Sequence, residues 1–180
     1  MKRSVKTKAR DQAQGQSSGV VRGDLDGRKL RVGVVTARWN ADITERLQAG
    51  TYLALARAGV KASNLLSVSV PGAYEAPVAA QALLEKGCDA VIVLVCVIRG
   101  ETTHYDHVCN AVERGCSQLQ LDYKRPVVFG VLTVENRKQA MDRVGGAHGH
   151  KGVEAGEVAV EMAQLLNLVR RKSRKALSAK

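Results

Sequence analysis

Aromatic side chains are scarce in this 180-residue chain, which has one Trp, one Phe and four Tyr. Neither end interleaves them with its basic residues, which removes the stacking platforms that single-strand nucleic-acid binders use. No apolar run approaches the roughly 18 residues of a membrane helix. The opening MKRSVKTKARDQAQGQSSG has no apolar stretch for a secretory signal, is short for a transit peptide and contains an Asp, so a cytoplasmic location is expected. Cys88, Cys96, Cys109 and Cys116 form no C-x-x-C pair. That argues against a zinc site or redox motif and for reduced, half-buried structural thiols. There is no G-x-G-x-x-G and no P-loop, so dinucleotide and NTP binding are disfavoured.

Positive charge is abundant, with 28 Lys and Arg against 17 Asp and Glu and a net charge of +11. Its location matters more than its size. Residues 1–26 carry six basic against three acidic side chains, and residues 170–180 carry six basic and none acidic, so the tails hold nine of the eleven excess charges. We read residues 1–18 and 170–180 as solvated basic tails around one domain over 19–169, a length that supports a substantial core. Nucleic acid is expected only through non-specific attraction to those tails.

Within the domain, apolar runs alternate with helical patterns. Strands are expected over 30–37, 65–70, 89–98 and 126–134. Helices are expected over 42–58, 73–87, 104–120, 135–144 and 153–171, with a glycine-rich turn over 145–152. Pro77 falls in the first turn of the second helix, where proline is tolerated. Strict β/α alternation predicts an α/β fold, a parallel sheet covered by helices on both faces.

The candidate chemistry follows the strand ends, where such sheets place their ligands. Trp39 and Asn40 follow the first strand, and an isolated Trp there is either a stacking platform or a rim-packing residue. Ala73 and Glu75 follow Pro71-Gly72 after the second; Glu75 either accepts from a ligand hydroxyl or favours a helix N-terminus. After the third strand come Val97, Ile98, Gly100, Glu101, Thr102, Thr103 and His104. Gly100 permits close backbone approach, the threonines can cap a helix, and His104 is either structural or a general acid/base. Phe129, taken alone, reads as core packing. Arg143 and Lys151 flank VGGAHGHKG and either grip a phosphate or serve as solvated charges. His148 and His150 lack the spacing and third partner of a metal site.

In order, ARWN (37–40), PGAYEAP (71–77), VIRGETTHYDHVCN (97–110), FGVLTVEN (129–136) and DRVGGAHGHKGVEAG (142–156) closely resemble the 6,7-dimethyl-8-ribityllumazine synthase family of riboflavin biosynthesis. The resemblance runs from about Val20 to Leu168. It implies a three-layer, flavodoxin-like α/β/α sandwich with a four-stranded parallel sheet, plus a short strand at Val20-Val21 pairing with a neighbouring subunit. It also implies condensation of 5-amino-6-ribitylaminouracil with 3,4-dihydroxy-2-butanone 4-phosphate, without metal or organic cofactor.

By matching position, Trp39 stacks on the pyrimidine. Asn40, Ala73 and Glu75 bind the uracil edge and ribityl chain, with Val97 and Ile98 nearby. Gly100, Glu101, Thr102 and Thr103 meet the butanone phosphate, and His104 transfers protons. Phe129, Arg143 and Lys151 match residues that a neighbouring subunit supplies, Arg143 on the phosphate. The implied assembly is a pentamer, and the uninserted turn between Arg143 and Lys151 resembles that of relatives forming 60-subunit icosahedral shells, sometimes associated with riboflavin synthase. Gly146-Ala147 departs from a more usual Thr-Lys. A shell-forming or flavin-binding relative without turnover is the alternative; loss of His104 or Arg143 would signal it, and both are present.

Overall fold

A computed structural model describes residues 20–177, with side chains through Arg171. Six short segments account for the strands: β1 (Val32–Ala37), β2 (Leu65–Val70), β3 (Ala90–Ile98), β4 (Val127–Val134), β5 (Val144–Gly146) and β6 (Gly149–His150). Between and after them run α1 (Ala41–Arg57), α2 (Ala76–Glu85), α3 (His104–Tyr123), α4 (Arg137–Met141) and α5 (Lys151–Leu177). The main sheet has the order β2-β1-β3-β4 and every pairing in it is parallel. The chain moves outward from β1 to β2 and then crosses to β3 on the other side. The point between β1 and β3 is therefore the topological switch, where a crevice opens beyond the strand tips.

Burial explains why the strands read as continuous apolar runs. All six residues of β1 are buried, as are the first seven of β3, because both strands are central and covered on both faces. Val34, Ile92, Leu94 and Leu132 point into one core with Leu47 and Leu55 of α1 and Ala159 and Val160 of α5. Val35, Val91, Val93 and Val95 point into a second core with Leu83 and Leu84 of α2 and Val112 and Cys116 of α3. Two cores on opposite faces of one sheet make three layers, the sandwich expected from the β/α alternation.

The layer of α1 and α5 is closely packed because its contact is built from small residues. A Cβ on Gly152 would lie 2.1 Å from the Leu47 carbonyl oxygen, and one on Gly156 would lie 2.7 Å from the Ala54 Cβ. The Thr51 hydroxyl then donates to the Gly152 carbonyl at 2.9 Å, satisfying a buried hydroxyl across the contact.

Several boundaries differ from the expectation. The 135–144 helix shrinks to α4, since Asn136 caps it by accepting from the Gln139 N–H and its Asp142 end turns directly into β5. The 145–152 turn holds the antiparallel β5–β6 hairpin, with Gly145 and Gly149 at φ 109° and 73°, left-handed backbone that favours glycine. Proline at 77 does sit at the start of α2, but that helix begins at Ala76 because Pro71 to Glu75 form a turn. The last helix starts two residues earlier than expected and runs to Leu177, six residues further than expected. Residues 20–31 form no regular element in the single chain. The expected tail at 1–18 lies outside the described residues. Among the described residues no helix is long and apolar enough to cross a membrane.

Candidate active site

The crevice at the switch point holds a cavity of about 600 Å³. Its walls come from the tips of β1 and β3 and the segments that follow β1, β2 and β3, and include Trp39, Asn40, Ala73, Glu75, Val97, Ile98, Gly100, Thr102 and His104. Nine of the expected site residues thus converge from three separate stretches of sequence. Glu101 and Thr103, in the same loop, line neither this cavity nor the groove described below. Tyr74, Tyr105 and Val108 also line it, and sequence reasoning missed them. An aromatic next to His104 at the first turn of α3 was the available signal.

Local chemistry fixes the rim. Asn40 sits at φ 58°, ψ 45° ahead of α1, a left-handed conformation that Asn tolerates better than most residues. Its backbone carbonyl accepts from the Ile43 and Thr44 N–H groups, and its side-chain Nδ2 donates to the Cys96 carbonyl at 3.0 Å. This one residue ties the end of β1 to the end of β3 across the switch point. Trp39 donates its backbone N–H to Pro71 and leaves its indole 74% exposed over the opening. Glu75 accepts from the Gly72 N–H at 3.0 Å, closing its own turn and orienting its carboxylate at the cavity edge. At the start of α3 the Thr102 hydroxyl accepts from the His104 N–H at 3.4 Å, and the His104 side chain is exposed.

Burial pushes the thiols of Cys96, at the cavity floor, and Cys116, on α3, up to about 11. Thiols held that high stay protonated at neutral pH, which disfavours both as nucleophiles. No cluster of three or more His, Cys, Asp or Glu suited to a metal occurs among the described residues.

Phe129, Arg143 and Lys151 are elsewhere. They line a second hollow, of about 610 Å³, that runs along β4 between α3 and α5. Phe129 is 44% exposed rather than core, because β4 is an edge strand and α3 leaves that part of its face uncovered. Arg143 donates to the Gln139 carbonyl at 2.8 Å, and Lys151 pairs with Glu154 at 2.6 Å. Val158 and Met162 of α5 complete an apolar wall, 43% and 36% exposed. The expected site residues of a single chain therefore fall into two separate sets, one in a polar-rimmed cavity at the strand tips and one in a largely apolar groove at the sheet edge.

The sequence model of 6,7-dimethyl-8-ribityllumazine synthase matches residues 29–167, which span both sets. The chain is 53% identical to the 6,7-dimethyl-8-ribityllumazine synthase of Bdellovibrio bacteriovorus over 137 residues, covering 76% of this chain and 75% of that one. It is 46% identical to the enzyme of the same name from Cytophaga hutchinsonii over 142 residues, covering 78% and 89%. A third such synthase, from Porphyromonas gingivalis, is 46% identical over 140 residues, covering 77% and 87%. With the parallel sheet, the switch-point cavity and matches of this extent, the chain belongs to the 6,7-dimethyl-8-ribityllumazine synthase family.

Proposed function

We propose that this protein condenses 5-amino-6-ribitylaminouracil with 3,4-dihydroxy-2-butanone 4-phosphate to 6,7-dimethyl-8-ribityllumazine, releasing phosphate and water, in a site shared between two subunits. The observation that carries the shared site is the division of the residues between two hollows of one chain. One hollow offers a stacking indole, a carboxylate, backbone amides and an imidazole; the other offers an aromatic ring, a guanidinium and an ammonium. A second copy docked with its β4 groove against the cavity would bring the sets together. Closing copies head to tail in this way gives a ring, a pentamer in this reading. The Val20-Val21 segment, with Val20 67% exposed, is the piece available to pair with a neighbour's sheet edge.

The chemistry suits the residues. The substrate amine attacks the ketone, water leaves to give an imine, and phosphate is eliminated from the adjacent carbons. Ring closure and loss of a second water yield the lumazine. Each stage moves a proton, a task for His104 at the cavity mouth, while Trp39 holds the pyrimidine and Arg143 of the neighbour holds the phosphate by two parallel hydrogen bonds. General acid/base catalysis contributes roughly 10²–10⁴-fold, and holding two reactants in register supplies much of the remainder. A cytoplasmic location fits the four free cysteines. Shell formation from twelve rings belongs to the same proposal and rests on the short hairpin between Arg143 and Lys151.

The test is turnover by the purified protein, followed as lumazine absorbance above the spontaneous background, with the particle mass measured in parallel. A protein-dependent rate from a pentamer or a multiple of it supports the proposal. No rate from an assembled particle defeats it.

A further inference from the structure

Arg99 belongs to neither hollow, yet it is the most heavily engaged side chain between them. Its backbone N–H donates to the Val134 carbonyl at the tip of β4. Its guanidinium lies 4.0 Å from the centre of the Tyr105 ring, and its Nη1 and Nη2 reach the two Asp106 carboxylate oxygens at 3.4 and 3.3 Å. Its Nε reaches the Glu135 carboxylate at 3.0–3.1 Å. Tyr105 and Asp106 are the two residues after His104 in the first turn of α3. Glu135 leads the other way, since its N–H donates to the Gln139 side chain at 2.9 Å and the Gln139 carbonyl accepts from Arg143 at 2.8 Å.

We propose that Arg99 is a positioning residue that sets both half-sites of its chain at once. Through Asp106 and Tyr105 it orients the His104 turn, and through Glu135 and α4 it orients Arg143 toward the neighbouring subunit's site. This inference rests on the shared-site reading above. The fork of a guanidinium suits the task, because it satisfies two carboxylates in different directions while its flat face stacks on a ring, which an ammonium cannot do. Its charge has a second consequence. Asp106 and Glu135 both lie against Arg99, and with Arg99 removed two uncompensated carboxylates would be left next to the residue from which the Gly100–Thr103 loop begins.

The arrangement separates into two arms that kinetics can tell apart. Asp106→Ala cuts the α3 arm and should lower kcat about 5–20-fold with little change in KM for the butanone phosphate. Glu135→Ala cuts the α4 arm and should raise that KM about 5–20-fold. Arg99→Met should do both, about 10–100-fold in kcat/KM, in the range that small misplacements of catalytic groups produce. Arg99→Lys should restore the KM part, which depends on charge, more than the kcat part, which depends on the fork. All three side chains are partly exposed, and unchanged particle mass and Tm would show that the variants assemble. Kinetics of Arg99→Met within twofold of the parent, or both arm variants moving the same parameter, would overturn the inference. Titration of inorganic phosphate, read by phosphorus NMR, keeps it testable apart from turnover. If the parent protein binds phosphate but makes no lumazine, the activity reading fails, and an equal phosphate affinity in parent and Glu135→Ala would then overturn the inference on its own.

Discussion

The cavity at the strand tips and the groove along β4 are similar in size and differ in what completes them. The cavity rim is tied together by its own chain: Asn40 to Cys96, Glu75 to Gly72, Trp39 to Pro71. The groove has ties of its own, the Val127 N–H to Gln120 and Lys151 to Glu154, but none of them closes its sheet edge. Its strand pairs on one side only, and its apolar residues Phe129, Val158 and Met162 stay partly exposed beside Arg143 and Lys151. A rim bonded to itself is preorganised for a small ligand, whereas on the shared-site reading the exposed apolar edge is what a second subunit would cover. On the shared-site reading, this difference lets residues as far apart in sequence as Trp39 and Lys151, 112 positions, belong to one chemistry without meeting in one chain.

The sharpest way to break this contrast is to spoil the groove and leave every matched site residue in place. Val158→Asp puts a charge into the apolar wall. The expected result is a species lighter than the ring in analytical ultracentrifugation, with lumazine formation falling about 10³-fold or more as the held-together geometry is lost. A monomer with the parent's activity would put the whole site in one chain. Mixing sharpens the same contrast. His104→Ala should lose roughly 10²–10⁴ in kcat while staying assembled, and Arg143→Ala should act chiefly on KM for the phosphate substrate. Refolded together, the two should recover activity at about a quarter of their interfaces, because a quarter pair an intact His104 half with an intact Arg143 half. No recovery in verified mixed particles would count against the shared site.

Much of this was legible in the sequence, for identifiable reasons. The central strands announced themselves as unbroken apolar runs because they are buried on both faces, and the cavity residues followed each strand tip as the α/β rule requires. Phe129 was not legible alone. Its exposure depends on β4 being an edge, a fact of strand order that no local pattern contains. The hairpin of β5 and β6 was hidden in a glycine-rich stretch that reads only as a turn, and α5 ran past Arg171 because its continuing residues, such as Lys172, Arg174 and Lys175, are good helix formers as well as charges. Arg99 carried no motif of its own, and only the positions of Asp106 and Glu135 in space reveal its role.

A smaller effect probes the self-bonded rim. Asn40→Ala removes the bond to the Cys96 carbonyl and places a less tolerant residue in left-handed backbone, a loss of about 1–3 kcal/mol. The melting temperature should fall by about 3–9 °C. Asn40→Gly keeps the conformational freedom and loses only the hydrogen bond, so it should fall less. If the two variants melt together, backbone strain contributes nothing at this position.

The smallest expected effect concerns the root of the N-terminal segment that the groove reading assigns to a neighbour. That segment is anchored to its own chain first. Gly23 lies so close to α5 that a Cβ would overlap the Glu161 carbonyl oxygen, and Gln164 donates to the Asp26 carbonyl. The Asp26 carboxylate accepts from the Arg28 side chain at 2.9 Å and from its N–H at 3.1 Å, which lowers its pKa from 3.8 to about 2. A carboxyl depressed in the folded state stabilises it above the ordinary carboxylate pKa, and that contribution fades as pH falls from about 4 to about 2. The pair is exposed, so the effect is modest. The difference in melting temperature between the parent and Asp26→Asn should be level above pH 5 and shrink toward zero near pH 2. A difference that grew on acidification would mean that Arg28 does not hold the carboxylate, and that α5 alone fixes where the segment leaves for its neighbour.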